Sequence, residues 1–189
     1  MTALRFEDVA CVRGGRLLFK GMSFAIGSGD AAIVAGPNGV GKSSLIRLAA
    51  GLLPPDAGQV SVEGSVALAD ENGALDRDQP LGNALRFWAR LDRSQALDAA
   101  LTAMGIAHLA PVPVRMLSPG QRKRAALVRV IASAAPIWLL DEPVNGLDAA
   151  SVAMLEAACA THREWGGIVL AATHQAFAMP GARIVSLGS

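Results

Sequence analysis

Eight consecutive residues, Gly36-Pro37-Asn38-Gly39-Val40-Gly41-Lys42-Ser43, constrain this chain more than any other feature in it. They match the phosphate-binding P-loop pattern at every fixed position. Before them runs the short apolar stretch from Ala31 to Ala35, and after them comes the helical spacing of Ser44, Leu45, Leu48 and Ala49. Strand, loop, helix is the order that such a loop requires. The glycines let backbone N–H groups turn inward around a β-phosphate, at the positive end of the following helix. Lys42 is placed to reach the β- and γ-phosphates, Ser43 to offer a hydroxyl to Mg²⁺, and Ser44 to continue the cradle.

A second motif belongs to the same chemistry. Ile137-Trp138-Leu139-Leu140 reads as a buried strand and ends in Asp141-Glu142. Alone, an acidic pair after an apolar run is a polar strand end. Beside a P-loop, Asp141 is expected to face the metal and Glu142 to orient or deprotonate an attacking water.

The rest of the chain frames these motifs. Its 189 residues suffice for one well-packed domain, and 52% hydrophobic residues against 17% charged exclude a disordered chain. Seventeen basic residues against sixteen acidic give no net field for nucleic acid or anionic lipid. Cys11 and Cys159 lack metal-ligand spacing and are expected to be reduced core thiols. Residues 1–10 carry no apolar signal core. The longest apolar stretch, 125–140, is broken by Arg129 and Pro136 and is too short to span a bilayer, so any membrane association is expected to come through partners.

Around Gly14-Gly15, alternating segments at 6–12 and 17–26 predict a hairpin. Further strands are expected at 59–63 and 66–69. Strand signals then stop, helices are expected at 81–91 and 94–104, and Pro111 and Pro113 close the segment. From Ser118 the pattern returns to α/β, with a helix to about residue 134, the strand at 137–140, a helix after Asp148, and strands at 168–172 and 184–187. The layout is a single α/β domain over 1–189: a core of 1–71 and 117–189 with N-terminal antiparallel strands, and a small helical lobe inserted at about 72–116.

Leu117-Ser118-Pro119-Gly120-Gln121 opens the helix that precedes the acidic strand. Ser118 as N-cap, Pro119 as first helical residue and Gln121 three after the cap make a capping box without any function. A capped helix with a free N-terminal dipole is also what a γ-phosphate from another subunit would meet. With Asn145-Gly146-Leu147-Asp148 next and His174 directly after a strand and Thr173, the order over the whole chain resembles the ABC ATPases. That resemblance implies a P-loop NTPase core of ABC type, ATP and Mg²⁺ as ligands, and work as a homodimer. It makes Ser118, Gly120 and Gln121 a signature acting in trans, Asp148 the D-loop residue, and His174 the switch histidine beside the catalytic Glu142 and Lys42.

Three positions depart from the family pattern. Its usual adenine-stacking aromatic is replaced by Arg13, whose planar guanidinium can also stack. The glutamine that opens the helical lobe and touches Mg²⁺ is replaced by Glu71, with Asp70 and Asn72 as alternatives. Pro119 stands where the family usually has glycine and removes one backbone donor.

The small size, the run 13–19, the signature run 117–124, and the segment 166–170 with Thr173-His174-Gln175 look like the ATP-binding subunit of the bacterial haem exporter of cytochrome c maturation. The resemblance implies a peripheral subunit on the cytoplasmic face of the bacterial inner membrane, bound to integral-membrane partners through which alone it meets haem. An ATPase of another small-molecule exporter is the alternative. A soluble ABC-type ATPase acting on nucleic acid lacks support in the neutral charge and single nucleotide domain. Arg122-Lys123-Arg124, the one basic run, reads as a solvated helix face.

Overall fold

A computed structural model describes residues 2–70 and 74–188. The Gly14-Gly15 turn, with both φ angles positive, joins β1 (Ala3–Arg13) to β2 (Arg16–Gly27) in antiparallel register. Glycine is what a tight two-residue hairpin turn of this hand needs. The other edge of β1 pairs antiparallel with β4 (Ala57–Glu63), giving a three-stranded sheet of order β2-β1-β4. Phe6 and Phe24 stack across it at 4.5 Å.

The second sheet is parallel. β5 (Val66–Ala69), β6 (Ile137–Asp141), β7 (Ile168–Ala172), β3 (Ala31–Ala35) and β8 (Arg183–Ser186) lie side by side in that order. β6 and β7 are buried at every residue. That burial explains why they read as unbroken apolar runs rather than alternating ones. Their pleat still sorts the side chains: Ile137, Leu139, Ile168 and Leu170 point into one core, with Leu4, Phe6, Leu45 and Ile46. Trp138, Leu140, Val169 and Ala171 point into the other, with Leu85, Leu101, Leu127 and Leu155. The first core is covered by the antiparallel sheet and α1 (Lys42–Ala49). The second is covered by α2 (Leu81–Leu91), α3 (Leu97–Ala103), α4 (Pro119–Ala132) and α5 (Ala149–Glu164).

Three details differ from the sequence reading. The helix expected from residue 94 begins at Leu97, because Ser94 accepts a hydrogen bond from the Ala96 amide and forms a turn. Pro111 and Pro113 do more than close a segment. The chain around them lies against residues 77–82: Pro80 bridges Pro113, and the Leu81 and Gly82 amides donate to Val112 and Ala110. Those two donors belong to the first turn of α2, whose N-cap Pro80 makes no side-chain cap, so the returning chain satisfies what a cap would otherwise serve. Finally, Arg122, Lys123 and Arg124 are not a plain solvated face, since each donates to a backbone carbonyl: Leu117, Asp141 and Met104 respectively. No helix among the described residues is long and apolar enough to cross a membrane.

Candidate functional site

Register places the chemistry. Val34 of β3 and Asp141 of β6 both lie opposite Ala172 of β7, so the three strands end level. The residues that follow, Gly36 onward, Glu142, and Thr173-His174, therefore emerge together at the carboxyl edge of the parallel sheet. This is the edge at which open α/β sheets bind ligands.

The loop that leaves β3 is held in shape by its glycines. Gly36 has φ 152°, and a Cβ there would lie 2.6 Å from the Leu187 carbonyl oxygen. Gly41, with φ 115°, caps α1 without any side-chain hydrogen bond. Lys42 is only 5% exposed and folds back over the loop. Its Nζ donates to the Gly36 carbonyl at 2.9 Å, the Pro37 carbonyl at 3.2 Å and Asn38 Oδ1 at 3.5 Å. The same ammonium lies 3.4 Å from Glu142 Oε1. Ser43 Oγ donates to Asp141 Oδ1 at 3.0 Å.

Glu142 is held from both sides, by Lys42 and by His174, whose Nδ1 is 3.0 Å from Oε2. Its backbone is in the left-handed region at φ 45°, fixed there by its amide donating to Ala172 at 2.8 Å. A non-glycine residue in that region is strained, and such strain collects at functional sites. Burial pushes the Glu142 carboxyl upward, but the hydrogen bond from His174 and the charges of His174 and Lys42 outweigh it and hold the group below the ordinary glutamate range. Asp141 behaves oppositely. Burial raises it, Glu142's charge adds to the rise, and the Ser43 hydrogen bond opposes without overcoming.

Lys42, Ser43, Glu142 and His174 line one cavity of about 510 Å³, walled also by Arg13, Leu18, Asn38, Gly39, Gly41, Ser44 and Asn145. Its size suits a small-molecule site. Leu18 and Asn145 had no assigned role in the sequence. Leu18 is brought in by the hairpin leaning over Gly41, and Asn145 by the turn in which its amide donates to the Glu142 carbonyl. Phe19 is not in the cavity: it is buried and its ring packs behind Gly41.

Ser118, Gly120 and Gln121 lie elsewhere. They line a separate cavity of about 210 Å³ with Arg124, Gly146, Leu147, Asp148 and Ser151. The capping box is present in both directions, Gln121 N to Ser118 Oγ at 3.2 Å and Ser118 N to Gln121 Oε1 at 2.8 Å. Asp148 caps α5 by accepting from the Ser151 amide at 2.8 Å. Glu71 and Asn72 lie outside the described residues, while Asp70 lines a further cavity with Arg77 and Arg122.

The residues at the P-loop fit a small hard cation. Ser43 and Asp141 place two oxygen donors side by side, and no cluster of three or more His, Cys, Asp or Glu side chains surrounds them among the described residues. Few protein ligands with the remaining positions left to phosphate and water is the Mg²⁺ pattern.

Comparison with known proteins agrees with this geometry. The family model described as "ABC transporter" matches residues 19–145. A cytochrome c biogenesis ATP-binding export protein CcmA from Sphingopyxis alaskensis is 60% identical, over 94% of this chain and 92% of its own. The protein of the same name from Zymomonas mobilis is 51% identical over 97% of this chain and 84% of its own. A solved ATP-binding subunit of an ABC transporter superposes with a TM-score of 0.82 at 22% identity, covering 92% of this chain and 80% of that one, which speaks to fold alone. With a P-loop, an acidic strand end and a histidine at one sheet edge, and relatives matching nearly end to end, the chain belongs to the ABC transporter family.

Proposed function

We propose that this chain hydrolyses ATP as one of two identical nucleotide-binding subunits of an exporter serving cytochrome c biogenesis. The observation that carries the reading is a division of labour within one chain. Lys42, Ser43, Glu142 and His174 line the P-loop cavity, with Asp141 behind Ser43, whereas Ser118 and Gly120 line another. A second copy, placed head to tail, would bring its Ser118 and Gly120 over the first copy's P-loop and complete two equivalent sites.

In that site the loop amides, Ser44 and Lys42 hold the phosphates, and Lys42 exchanges Glu142 for phosphate oxygen. Ser43 and Asp141 would hold Mg²⁺, which would supply positive charge beside the β- and γ-phosphates. Glu142, kept ionised by its neighbours, takes a proton as a water oxygen attacks the γ-phosphorus. The bond to the β–γ bridging oxygen breaks, and ADP and phosphate leave. His174 positions Glu142 through the 3.0 Å contact. Gln121 fixes Ser118, and Asp148 fixes the start of α5 beside them.

The chain acts as a single domain over 1–189, with a helical lobe at about 72–116. Integral-membrane partners at the cytoplasmic face of a bacterial inner membrane supply the transport path, and haem is met only through them. The near end-to-end match to export proteins of cytochrome c biogenesis supports this cargo. Purified with its membrane partners, the complex is expected to hydrolyse ATP, and Lys42→Ala to abolish hydrolysis. Normal turnover by that variant would overturn the reading.

A further inference from the structure

The peptide that joins Asp141 to Glu142 is gripped on two sides. A trans peptide is planar, so its carbonyl and its amide point opposite ways. The amide donates to the Ala172 carbonyl at 2.8 Å, which ties it to β7. The carbonyl accepts from the Lys123 ammonium of α4 at 3.4 Å. Beyond this peptide Glu142 has φ 45°, a conformation that a glutamate leaves unless its surroundings hold it. Relaxed to an ordinary backbone, its carboxylate would swing out from between Lys42 and His174, which now lie 3.4 and 3.0 Å from its two oxygens.

Lys123 has a firm base from which to hold that plane. It is half-buried in the second turn of α4, and Ala126 and Leu127, three and four residues on, are buried. Gly120, three residues before it, lies on the same side of the helix. A Cβ at Gly120 would sit 3.3 Å from the Gly146 carbonyl oxygen. The start of α4 therefore leans on the segment 141–146 at both of its ends, with Glu142 between them. At 3.4 Å the Lys123 contact is long for a hydrogen bond, but a full charge beside a carbonyl dipole in a half-buried place attracts without close approach. Lys123 is not among the described residues that line the P-loop cavity, so it acts through Glu142 and not on the nucleotide.

We propose that Lys123 is a positioning residue for the catalytic base, holding the Asp141 carbonyl so that the Glu142 carboxylate stays aimed between Lys42 and His174. The inference rests on the hydrolytic role proposed above for Glu142 and adds the residue that fixes its aim.

The chain, assembled with its membrane partners, is assayed for kcat, for KM with ATP, and for the Mg²⁺ concentration that gives half the maximal rate. Lys123→Met removes the ammonium and keeps an unbranched side chain. It is expected to lower kcat about tenfold, with KM moved by no more than about twofold and the Mg²⁺ requirement unchanged. Lys123→Arg keeps a charged donor and is expected to recover most of the rate. The decisive readout is the background that lacks the base. In Glu142→Gln, adding Lys123→Met should change the single-turnover rate less than about twofold, because the carboxylate it positions is gone. A residue that merely supports α4 would carry its full loss into that background, and one acting through the metal would have its loss made good by excess Mg²⁺. Either result, or an unchanged kcat in Lys123→Met, would overturn the proposal. Should Lys123→Met fail to assemble, Lys123→Gln, which keeps a neutral donor, is read through the same cycle. Absence of hydrolysis by the wild-type complex would overturn the catalytic reading itself, so the two failures are told apart.

Discussion

Two glycines of the same loop offer a quantitative test of how the site is built. At Gly36 the backbone has φ 152°, and an added Cβ would sit 2.6 Å from the Leu187 carbonyl oxygen and 3.0 Å from a Val40 methyl. The carbonyl is backbone of Leu187, whose amide donates to the Ala35 carbonyl at 2.9 Å, so it cannot swing aside as a side chain would. At Gly39 the φ is 76°, but a Cβ would meet nothing within 4 Å. Gly36→Ala therefore carries both backbone strain and a collision, about 3 kcal/mol together. Gly39→Ala carries strain alone, about 1 kcal/mol. For a chain of this length these correspond to losses of roughly 6–12 °C and 2–4 °C in Tm. Thermal melts of the two variants without nucleotide, followed by circular dichroism, measure both. Equal melting shifts, or a Gly36→Ala protein as stable as wild type, would refute the claim that this approach of backbone to backbone sets the loop's shape.

Asp141→Asn should separate stability from function. Because burial raises the Asp141 carboxyl, the folded protein holds that proton more tightly than the unfolded chain does, and stability falls as pH rises from the ordinary aspartate range through the raised value. At neutral pH the ionised group is thus a net cost. The asparagine variant is expected to melt higher than wild type at neutral pH while losing Mg²⁺-dependent hydrolysis. The gain should shrink as pH is lowered toward the ordinary aspartate range, and a lower Tm for the variant at neutral pH would contradict the argument. Glu142→Gln keeps the shape between Lys42 and His174 but cannot accept a proton. ATP binding should persist with turnover reduced at least ~100-fold, checked by filter binding beside single-turnover hydrolysis.

Much of the fold was legible because its central strands are buried on both faces. β3 and β7 begin and end where their apolar runs do, as does the edge strand β5, and Ser118 caps α4 with Gln121 as the capping-box pattern requires. What the sequence concealed was non-local. The pairing of 77–82 with 110–115 depends on backbone groups, and no side-chain pattern announces it. Nor does any pattern show that Arg122, Lys123 and Arg124 turn toward backbone carbonyls, since a helix periodicity gives the face but not the partner. At the site, the motifs named the P-loop, Asp141, Glu142 and His174. The left-handed backbone of Glu142, which aims it between Lys42 and His174, follows from a strand-to-strand hydrogen bond with Ala172 that only the folded sheet creates.

The central claim is that each catalytic site is shared between two chains, and mixed dimers test it most directly. One subunit carries only Lys42→Ala, which disables its own P-loop. The other carries only Ser118→Arg, which places bulk where the opposite chain's γ-phosphate would dock. Head-to-tail pairing puts both lesions in one composite site and leaves the second site whole. The account predicts residual ATPase from the mixed complex, up to about half of wild type if the sites turn over independently, and none from either homodimer. Full activity from a strictly monomeric chain would contradict it.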